Sequence, residues 1–242
     1  MTIHRDDFMT AAMGFDVFKV IADDADHSYA DAAGDSPHAM FYVKLPTTDA
    51  EAMRRYQRDG FGVIDVNITF ERRPGEPAPT SADGVTVAVA TPDHHAAVLD
   101  IAEHSFIYDR FHADPRVPDD KANDLKRGWM ANYCRGQRGE EILVGLVDGE
   151  VAGFLGVLAG KWDGEDARII DLVAVSRAFQ RRGVGRRMVD VFNGKYGQVC
   201  DKLIVGTQVA NIPSSRLYEQ RGYKLTRSTY VLHAHRVDGE MV

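Results

Sequence analysis

The chain has 242 residues, of which 44% are hydrophobic, and its formal net charge at pH 7 is −7. A chain of this size can bury a core as one large domain or two smaller ones, and it contains no apolar run of the roughly 20 residues that a membrane-spanning helix needs. The acidic balance, without a dense basic face, argues against nucleic acid as a partner. Since the first residues also lack the apolar core of a signal peptide, we expect a cytoplasmic protein without membrane contact.

Cysteine and histidine usage gives no sign of a metal or a disulfide framework. Cys134 and Cys200 are the only cysteines, and they stand far apart without the spacing of a metal or redox motif. Such thiols are typical of a reducing compartment. His233 and His235 have neither the helical spacing nor the adjacent carboxylates of a known site, and so the sequence predicts no metal.

A linker divides the chain. Three prolines with small and polar residues, and no apolar period, lie between Arg72 and Gly84. Such composition is typical of a connecting segment. We therefore predict an N-terminal domain over residues 1–73, a linker over 74–84 and a C-terminal domain over 85–242.

The N-terminal part predicts two strands around a helix. A strand is expected at Met40–Lys44, and Thr48-x-x-Glu51 is a capping-box pattern that opens a helix closed by Gly60. In the second strand apolar and polar residues alternate, which predicts one buried face. Its apolar positions are Ile64, Val66, Ile68 and Phe70.

The C-terminal part mixes strands and helices. In chain order the pattern predicts a strand, two helices, three strands, a helix, a strand, a helix and a final strand. Their approximate bounds are Val85–Ala90, His94–Phe106, Asp119–Cys134, Ile142–Val147, Val151–Leu158, Arg168–Val175, Val184–Phe192, Lys202–Val209, Asn211–Gly222 and Leu225–His233. The strand at Arg168–Val175 is apolar on both faces apart from Asp171, which is expected of a central strand.

One segment recurs. Tyr56–Phe61 leads from a helix through a glycine and an aromatic residue into a strand, as Tyr218–Tyr223 does. The N-terminal part is therefore either a worn half-copy of the C-terminal part or a chance likeness, and spacing alone leaves both open. If it is a copy, it lacks the glycine-arginine turn described next.

The strand Ile169–Val175 runs through Ser176–Phe179 into Gln180-Arg181-Arg182-Gly183-Val184-Gly185 and directly into an amphipathic helix. Unpaired N–H groups and the positive end of the helix dipole therefore meet where glycines permit close approach, which favours a pyrophosphate. A dinucleotide fingerprint would need a third glycine where Met188 stands, and a Walker loop would need Ser or Thr where Trp162 stands.

This turn resembles the acetyl-CoA signature of the GNAT superfamily, and Asn211–Tyr218 followed by Gly222-Tyr223 is similar to the next motif of that superfamily. The resemblance covers roughly Val85–Arg236. It implies an α/β (α+β) fold, in which a mixed, mostly antiparallel sheet is flanked by helices and splays between two strands to admit pantetheine. It further implies acetyl-CoA as the acyl donor and a smaller, partial GNAT-like N-terminal domain.

The resemblance also assigns roles to single residues. Main-chain groups of the strand would pair with pantetheine, the turn would hold the pyrophosphate, and Asn211 would contact the pantetheine arm. The cofactor-binding residues are thus Leu172, Val173, Val175, Gln180, Arg181, Arg182, Gly183, Val184, Gly185 and Asn211. Tyr218 would be the general acid, because a phenol with a pKa of about 10 can protonate a thiolate and stays neutral at pH 7. The alternative is that Tyr218 is a buried helix aromatic with a satisfied hydroxyl.

The reaction expected is direct attack of an amine on the thioester, with a backbone N–H near Val173 stabilising the oxyanion. Neither cysteine is needed as a nucleophile. The base is open among Asp171, His104, His112, Glu103 and a chain of water. Asp171 interrupts an apolar strand and therefore requires either a hydrogen-bond partner or a catalytic task.

The segment His104–Pro115, with Trp129 and Asn132 on the following helix, resembles the TDP-fucosamine acetyltransferase family, which acetylates the amino group of nucleotide-linked deoxy sugars. The family's Ser-Arg-aromatic sequence is Asp109-Arg110-Phe111 here. The resemblance implies a nucleotide amino sugar as acceptor. From their side-chain chemistry, Arg110 and His112 offer donors for a substrate phosphate or carboxylate and Phe111 would bound a pocket, so we predict these three as substrate residues. The alternative for these residues is a surface loop between helices, in which Arg110 pairs with a nearby acid.

Two rival functions stay open. One is N-acetylation of a small amine such as an amino acid, a polyamine or an aminoglycoside, and the other is an acyl-CoA-binding module without turnover. In either case the partner is a small molecule. A homodimer is also left open.

Overall fold

The computed structural model describes residues 3–22, 29–75 and 84–242. Its β-strands are β1 Ile3–Arg5, β2 Asp16–Val20, β3 His38–Pro46, β4 Gly62–Arg72, β5 Thr86–Val89, β6 Glu141–Val147, β7 Glu150–Trp162, β8 Glu165–Val175, β9 Lys202–Gln208, β10 Lys224–Val237 and β11 Glu240–Met241. Its α-helices are α1 Asp7–Met13, α2 Tyr29–Ala33, α3 Ala50–Arg58, α4 His95–His104, α5 Asp119–Cys134, α6 Val184–Tyr196 and α7 Ile212–Gln220. Short 3₁₀ turns occupy Pro92–His94 and Arg177–Phe179.

The chain forms two compact units that interleave along the sequence. Unit 1 comprises residues 1–68, 107–125 and 227–242, and unit 2 comprises residues 69–106 and 126–226. The predicted domain ranges 1–73 and 85–242 stay a prediction. Of the predicted linker 74–84, residues 76–83 lie outside the described part of the chain.

Unit 1 is built on a small mixed sheet. β1 pairs antiparallel with β2, β2 runs parallel to β3, and β3 pairs antiparallel with β10 from Thr229 to Val237. Helix α1 begins at Asp6, whose carboxylate accepts the N–H of Met9, and ends at Gly14 in a left-handed conformation. The core contains aromatic side chains, among them Phe41, Tyr56 and Phe61, together with aliphatic ones.

Unit 2 contains the longer strands. β5, β6, β7 and β8 form an antiparallel series, and β9 joins β8 in parallel. Helix α6 lies close against this sheet because glycines face it: a methyl group on Gly145 would come within 2.8 Å of Val184 Cγ1, and one on Gly153 within 3.1 Å of Met188 Cε. The strand prediction for Arg168–Val175 is confirmed, since β8 has a neighbour on each side.

The two predicted helix-to-strand junctions have the same local geometry. Asp49 caps α3 by accepting the N–H of Ala52, and Asn211 caps α7 by accepting the N–H of Ser214. Phe61 N–H donates to the carbonyl of Tyr56 at 2.9 Å, and Tyr223 N–H donates to that of Tyr218 at 3.1 Å. The intervening glycine is left-handed in both, with φ of 91° at Gly60 and 79° at Gly222.

The likeness extends to the preceding strand pair, because β2 runs parallel to β3 in unit 1 as β8 runs parallel to β9 in unit 2. A strand, a helix, a parallel strand, a capped helix and a final strand therefore follow in the same order in both places. This agreement favours the half-copy over a chance likeness.

The mixed, mostly antiparallel sheet with flanking helices is confirmed, and the predicted elements from β3 onward occur near their expected bounds. One detail is wrong: α3 is capped by Asp49 and not by Thr48, because the carboxylate of Asp49 reaches the N–H three residues ahead. The segment before β3 carries elements that the sequence reading did not predict. Among the described helices, none has the length and apolar character needed to cross a membrane.

Candidate functional site

The parallel strands β8 and β9 separate within unit 2. Their pairs run from Ala167 with Lys202 to Ile170 with Val205, and no further pair follows among the described residues. Both strands nevertheless continue, β8 to Val175 and β9 to Gln208. One edge of β8 beyond Ile170 therefore presents main-chain groups that β9 does not take up, and this edge includes the predicted pantetheine contacts Leu172, Val173 and Val175.

A β-bulge lies at the start of this edge. Gly156 pairs with Leu172 whereas the next residue of β7, Val157, pairs with Ile170. Asp171 is thus the extra residue of β8. A bulge of this kind bends its strand and reorients the backbone groups that follow.

Asp171 is surrounded by donors. Arg138 donates from Nε to Oδ2 at 2.8 Å and from a terminal nitrogen to Oδ1 at 3.0 Å, and the Tyr133 hydroxyl donates to Oδ2 at 3.0 Å. Burial alone would lower the pKa of Arg138, but the hydrogen bond and charge of Asp171 outweigh it and raise that pKa. Asp171 was predicted to need either a hydrogen-bond partner or a catalytic task, and the structure gives it two partners, Arg138 and Tyr133.

The predicted phosphate turn follows β8 and starts α6. Arg181 has a φ of 62° and Gly183 a φ of 82°, so the chain is left-handed twice before the helix begins. Gly183 is the N-cap of α6, and no side chain in the described chain caps it. The N–H groups of the first helical turn, including Val184 and Gly185, therefore point outward at the positive end of a 13-residue helix.

The side chains of the turn leave the backbone accessible. Arg181 and Arg182 are exposed, and the guanidinium carbon of Arg182 lies 5.3 Å from the ring centroid of Phe179. Gln180 folds back, and its amide donates to the carbonyl of Val175 at 3.3 Å. An anion on the turn would therefore meet main-chain N–H groups with cationic side chains nearby.

The turn, the end of β8 and helix α7 converge. A methyl group on Gly185 would lie 3.6 Å from Val175 Cγ2 and 3.8 Å from Leu217 Cδ2. The uncapped helix end and the unpaired edge of β8 thus belong to one surface of unit 2. This surface therefore combines a helix end that favours an anion with a strand edge whose main-chain groups β9 does not pair.

Helix α7 carries both of the other predicted residues. Asn211 caps the helix through Oδ1, and its amide nitrogen is not used by that cap. Tyr218 is only 2% exposed, and its ring lies 5.8 Å from that of Phe70 and 6.0 Å from that of Tyr223. Burial raises the pKa of Tyr218, which the hydrogen bond with Ser214 partly opposes. The phenol therefore stays protonated at neutral pH.

The other base candidates have partners of their own. His112 has one ring nitrogen 2.7 Å from Asp109 and the other 3.0 Å from Asn123. The exposed His104 contacts the carbonyl of Asp100, and Glu103 accepts from Arg127.

The predicted substrate residues lie in unit 1 and face inward. Arg110 is 9% exposed, with its guanidinium carbon 4.1 Å from the ring centroid of Tyr42 and 4.5 Å from that of Phe111. Phe111 is also fully buried. The substrate role of Arg110, Phe111 and His112 stays a prediction, since each side chain packs or hydrogen-bonds within unit 1.

A buried polar cluster joins distant parts of unit 1. Asp114 Oδ2 lies 2.6 Å from Nδ1 of His233 and 2.8 Å from Nε2 of His235. These three residues have the composition of a metal site. Asp114 was not predicted from the sequence, because it stands 119 residues before His233 and no local pattern marks it.

Hydrogen bonds nevertheless fix the proton on His233, although Nδ1 of the buried His235 has no hydrogen-bond partner among the described residues. Arg110 lies 3.3 Å from Nε2 of His233, and because a guanidinium can only donate, that nitrogen accepts and Nδ1 carries the proton given to Asp114. Nδ1 therefore offers no lone pair to an ion. Burial lowers the pKa of His233 to about 4, with Asp114 opposing the shift and the charge of Arg110 adding to it. We interpret the cluster as a structural network.

Both cysteines are packed thiols of unit 2. Burial raises the pKa of Cys134 and of Cys200. Cys200 donates to the carbonyls of Tyr196 and Lys202 at 3.2 Å each. Neither is suited to nucleophilic chemistry, as the sequence led us to expect.

The sequence matches the acetyltransferase (GNAT) family over residues 97–223. The spore coat polysaccharide biosynthesis protein SpsD of Bacillus subtilis (strain 168) is 29% identical over 143 residues, which are 59% of this chain and 48% of that protein. The chain thus spans about half the length of this curated relative.

Solved structures resemble the fold. A GCN5-related N-acetyltransferase from Sphaerobacter thermophilus has a TM-score of 0.59 at 14% identity, over 83% of this chain and 61% of that one. A tandem GNAT protein from the clavulanic acid biosynthesis pathway has a TM-score of 0.59 at 12% identity, over 91% of this chain and 75% of that one. At these identities the likeness concerns the fold alone, and the predicted fold class is confirmed.

Proposed function

The chain belongs to the acetyltransferase (GNAT) family, and from this premise we propose that it transfers the acetyl group of acetyl-CoA to a primary amine of a nucleotide-linked amino sugar. One observation carries the proposal: the pairing of β8 and β9 ends at Ile170 and Val205, on the same surface as the uncapped start of α6. We further propose that it works in the cytoplasm.

In this proposal main-chain groups of the chain have three tasks. Main-chain groups of Leu172, Val173 and Val175 pair with the pantetheine arm, and the N–H groups from Arg181 to Gly185 hold the pyrophosphate. Acetyl-CoA supplies the thioester that the amine attacks. A main-chain N–H at Val173 stabilises the oxyanion, and the carbonyl re-forms as the C–S bond breaks.

Tyr218 gives its proton to the departing sulfur, and the ammonium formed on the acceptor loses a proton to a base or to water. The protonated phenol suits this role at neutral pH. Its burial between Phe70 and Tyr223 is the observation that favours the second candidate, an acyl-CoA-binding module that does not turn over.

The acceptor class rests on two likenesses. The relative SpsD is named for polysaccharide biosynthesis, and the segment before the cofactor motif resembles a family that acetylates nucleotide-linked amino sugars. Because Arg110 is buried, an Arg110→Ala variant would lose stability and so could not test substrate contact. The acceptor is better identified by turnover.

The test is a panel of amines incubated with the purified chain and acetyl-CoA. Nucleotide-linked amino sugars, amino acids, polyamines and aminoglycosides are compared, with mass spectrometry of the acetylated product and a thiol reagent for released CoA. A reaction without acceptor corrects for Cys134 and Cys200. We expect an acetylated product with a nucleotide amino sugar. A product only with other amines would exclude a nucleotide amino sugar as the acceptor. Binding of acetyl-CoA without any product would favour the acyl-CoA-binding module that does not turn over.

A further inference from the structure

On the basis of the function proposed above, we propose that Tyr133 and Arg138 are positioning residues: they hold Asp171 in the bulge of β8 and thereby fix the strand edge at which the acetyl thioester reacts.

The place of Asp171 in the sheet gives the first reason. It is the unpaired residue of the bulge opposite Gly156 and Val157, and it directly follows Ile170, the last residue that pairs with β9. The backbone at this point is therefore held by β7 on one side only. A bulge with one free edge needs a further constraint if Val173, two residues on, is to keep a fixed direction.

The contacts of Asp171 give the second reason. Both carboxylate oxygens accept from Arg138 in a two-pronged arrangement, and Oδ2 also accepts from Tyr133. Such planar, charge-assisted pairs fix orientation as well as distance. Arg138 belongs to the loop after α5 and Tyr133 to α5 itself, so two points outside the strand hold the bulge.

The fit of Tyr133 gives the third reason. A methyl group on Gly156 would come within 3.1 Å of its ring, and one on Gly139 would overlap it. Gly139 has a φ of 74°, which also favours glycine at this position. The ring therefore lies against two glycine backbones, one of them in the bulge itself.

The protonation state of Tyr133 agrees with a role in holding Asp171. Burial raises the pKa of Tyr133, and the neighbouring Asp171 raises it further, so its hydroxyl remains a donor to the carboxylate. Both oxygens of the Asp171 carboxylate already accept hydrogen bonds, from the Arg138 guanidinium and from the Tyr133 phenol. Asp171 therefore acts through the backbone of its strand, in place of the base role that the sequence left open.

The experiment compares Arg138→Gln, Tyr133→Phe and Asp171→Asn with a matched control. Glu140→Gln serves as the control, since it breaks another ion pair of the same strand, that of Arg168 with Glu140 at 2.6 Å, three residues before the bulge. Two readouts are taken on the full chain: kcat and KM with their pH profiles, and amide hydrogen exchange of residues 170–175 without ligand.

For a positioning role we expect Arg138→Gln and Asp171→Asn to lower kcat on the order of 10- to 100-fold, as displaced reacting groups do, and Tyr133→Phe to lower it less. KM for acetyl-CoA rises by a smaller factor than kcat falls, because the turn at residues 181–185 still holds the pyrophosphate. The decrease in rate at low pH is still present in Asp171→Asn. Exchange in residues 170–175 rises in all three variants, whereas Glu140→Gln matches the parent in kcat and in exchange.

Three results would overturn the inference. They are unchanged exchange in Arg138→Gln, raised exchange with unchanged kcat, and loss of the acidic limb in Asp171→Asn alone, which would make Asp171 the base. If the parent chain transfers no acetyl group to any amine, the proposed function fails, and the exchange measurement still decides whether the bulge is held as described.

Discussion

The hydroxyl of Tyr218 is the group on which the proposed proton transfer depends. Tyr218→Phe keeps the ring packed against Phe70 and Tyr223 and removes only the oxygen that contacts Ser214. We expect kcat to fall about 10²-fold or more, the usual cost of losing a general acid, with little change in thermal stability.

The chain offers its own control for this variant. Tyr56 occupies the same place in the corresponding junction of unit 1, is completely buried, and has no glycine-arginine turn beside it. Tyr56→Phe should keep full kcat. Equal kcat in both variants and the parent would assign Tyr218 to packing and remove the proposed acid.

The buried His233 should make the free energy of unfolding depend on pH. In the unfolded state His233 is protonated near pH 6.5, whereas in the folded chain it is protonated only near pH 4. The unfolded state therefore binds more protons between these two pH values. Stability is therefore lost as the pH falls through this window, by roughly 3 kcal/mol at about 1.4 kcal/mol per pH unit. The groups that face His233 are Asp114, His235 and Arg110, and none of them is changed in the variants compared below.

Urea unfolding at several pH values measures this effect. His233→Asn keeps a donor toward Asp114 but cannot titrate, and we expect a flatter slope between pH 6.5 and 4 than in the parent. The exposed His104→Asn is the control and should keep the parent slope. A parent and a His233→Asn variant with the same slope would contradict the assignment.

Among the elements, the start of α6 carries the most specific prediction. Gly183 has a φ of 82°, and alanine there would strain the turn by about 1–3 kcal/mol and reorient the N–H groups. Gly183→Ala should weaken acetyl-CoA binding by on the order of 10-fold, measured by calorimetry. Gly194→Ala, in an exposed part of the same helix with open space around it, should keep the affinity and gain about 0.5–1 kcal/mol of stability.

Local signals explain which elements the sequence could predict. β8, the glycine turn and α6 follow from an apolar run, two glycines and a helical period within a short stretch, and all were correctly predicted. The elements before β3 were missed although Asp6 and Gly14 cap α1, because a seven-residue helix leaves little periodicity. The cap of α3 was misplaced by one residue for a similar reason, since Thr48 and Asp49 are both good N-caps.

Local sequence patterns could not predict contacts between residues that are far apart in the sequence. The need of Asp171 for a partner was clear from its apolar strand, but its partner Arg138 lies 33 residues away and on no predicted element. The inward position of Arg110 depends in the same way on Tyr42 and His233, which only the folded unit 1 brings together. Roles at the site itself stay proposals for this reason.

For the whole molecule, the residues predicted to bind the acyl donor all lie in unit 2. Unit 2 contains the unpaired edge of β8, the glycine turn and α7, whereas unit 1 repeats the order of strands and helices without that turn. The account therefore predicts that the acyl donor contacts unit 2 only. The acceptor remains to be identified by turnover.

Amide hydrogen exchange with and without acetyl-CoA tests this claim most directly. We expect slower exchange in residues 172–175 and 181–186 when acetyl-CoA is added, and no change in residues 39–45 of the parallel-paired β3 in unit 1. Protection confined to unit 1, or none at saturating acetyl-CoA, would contradict the account.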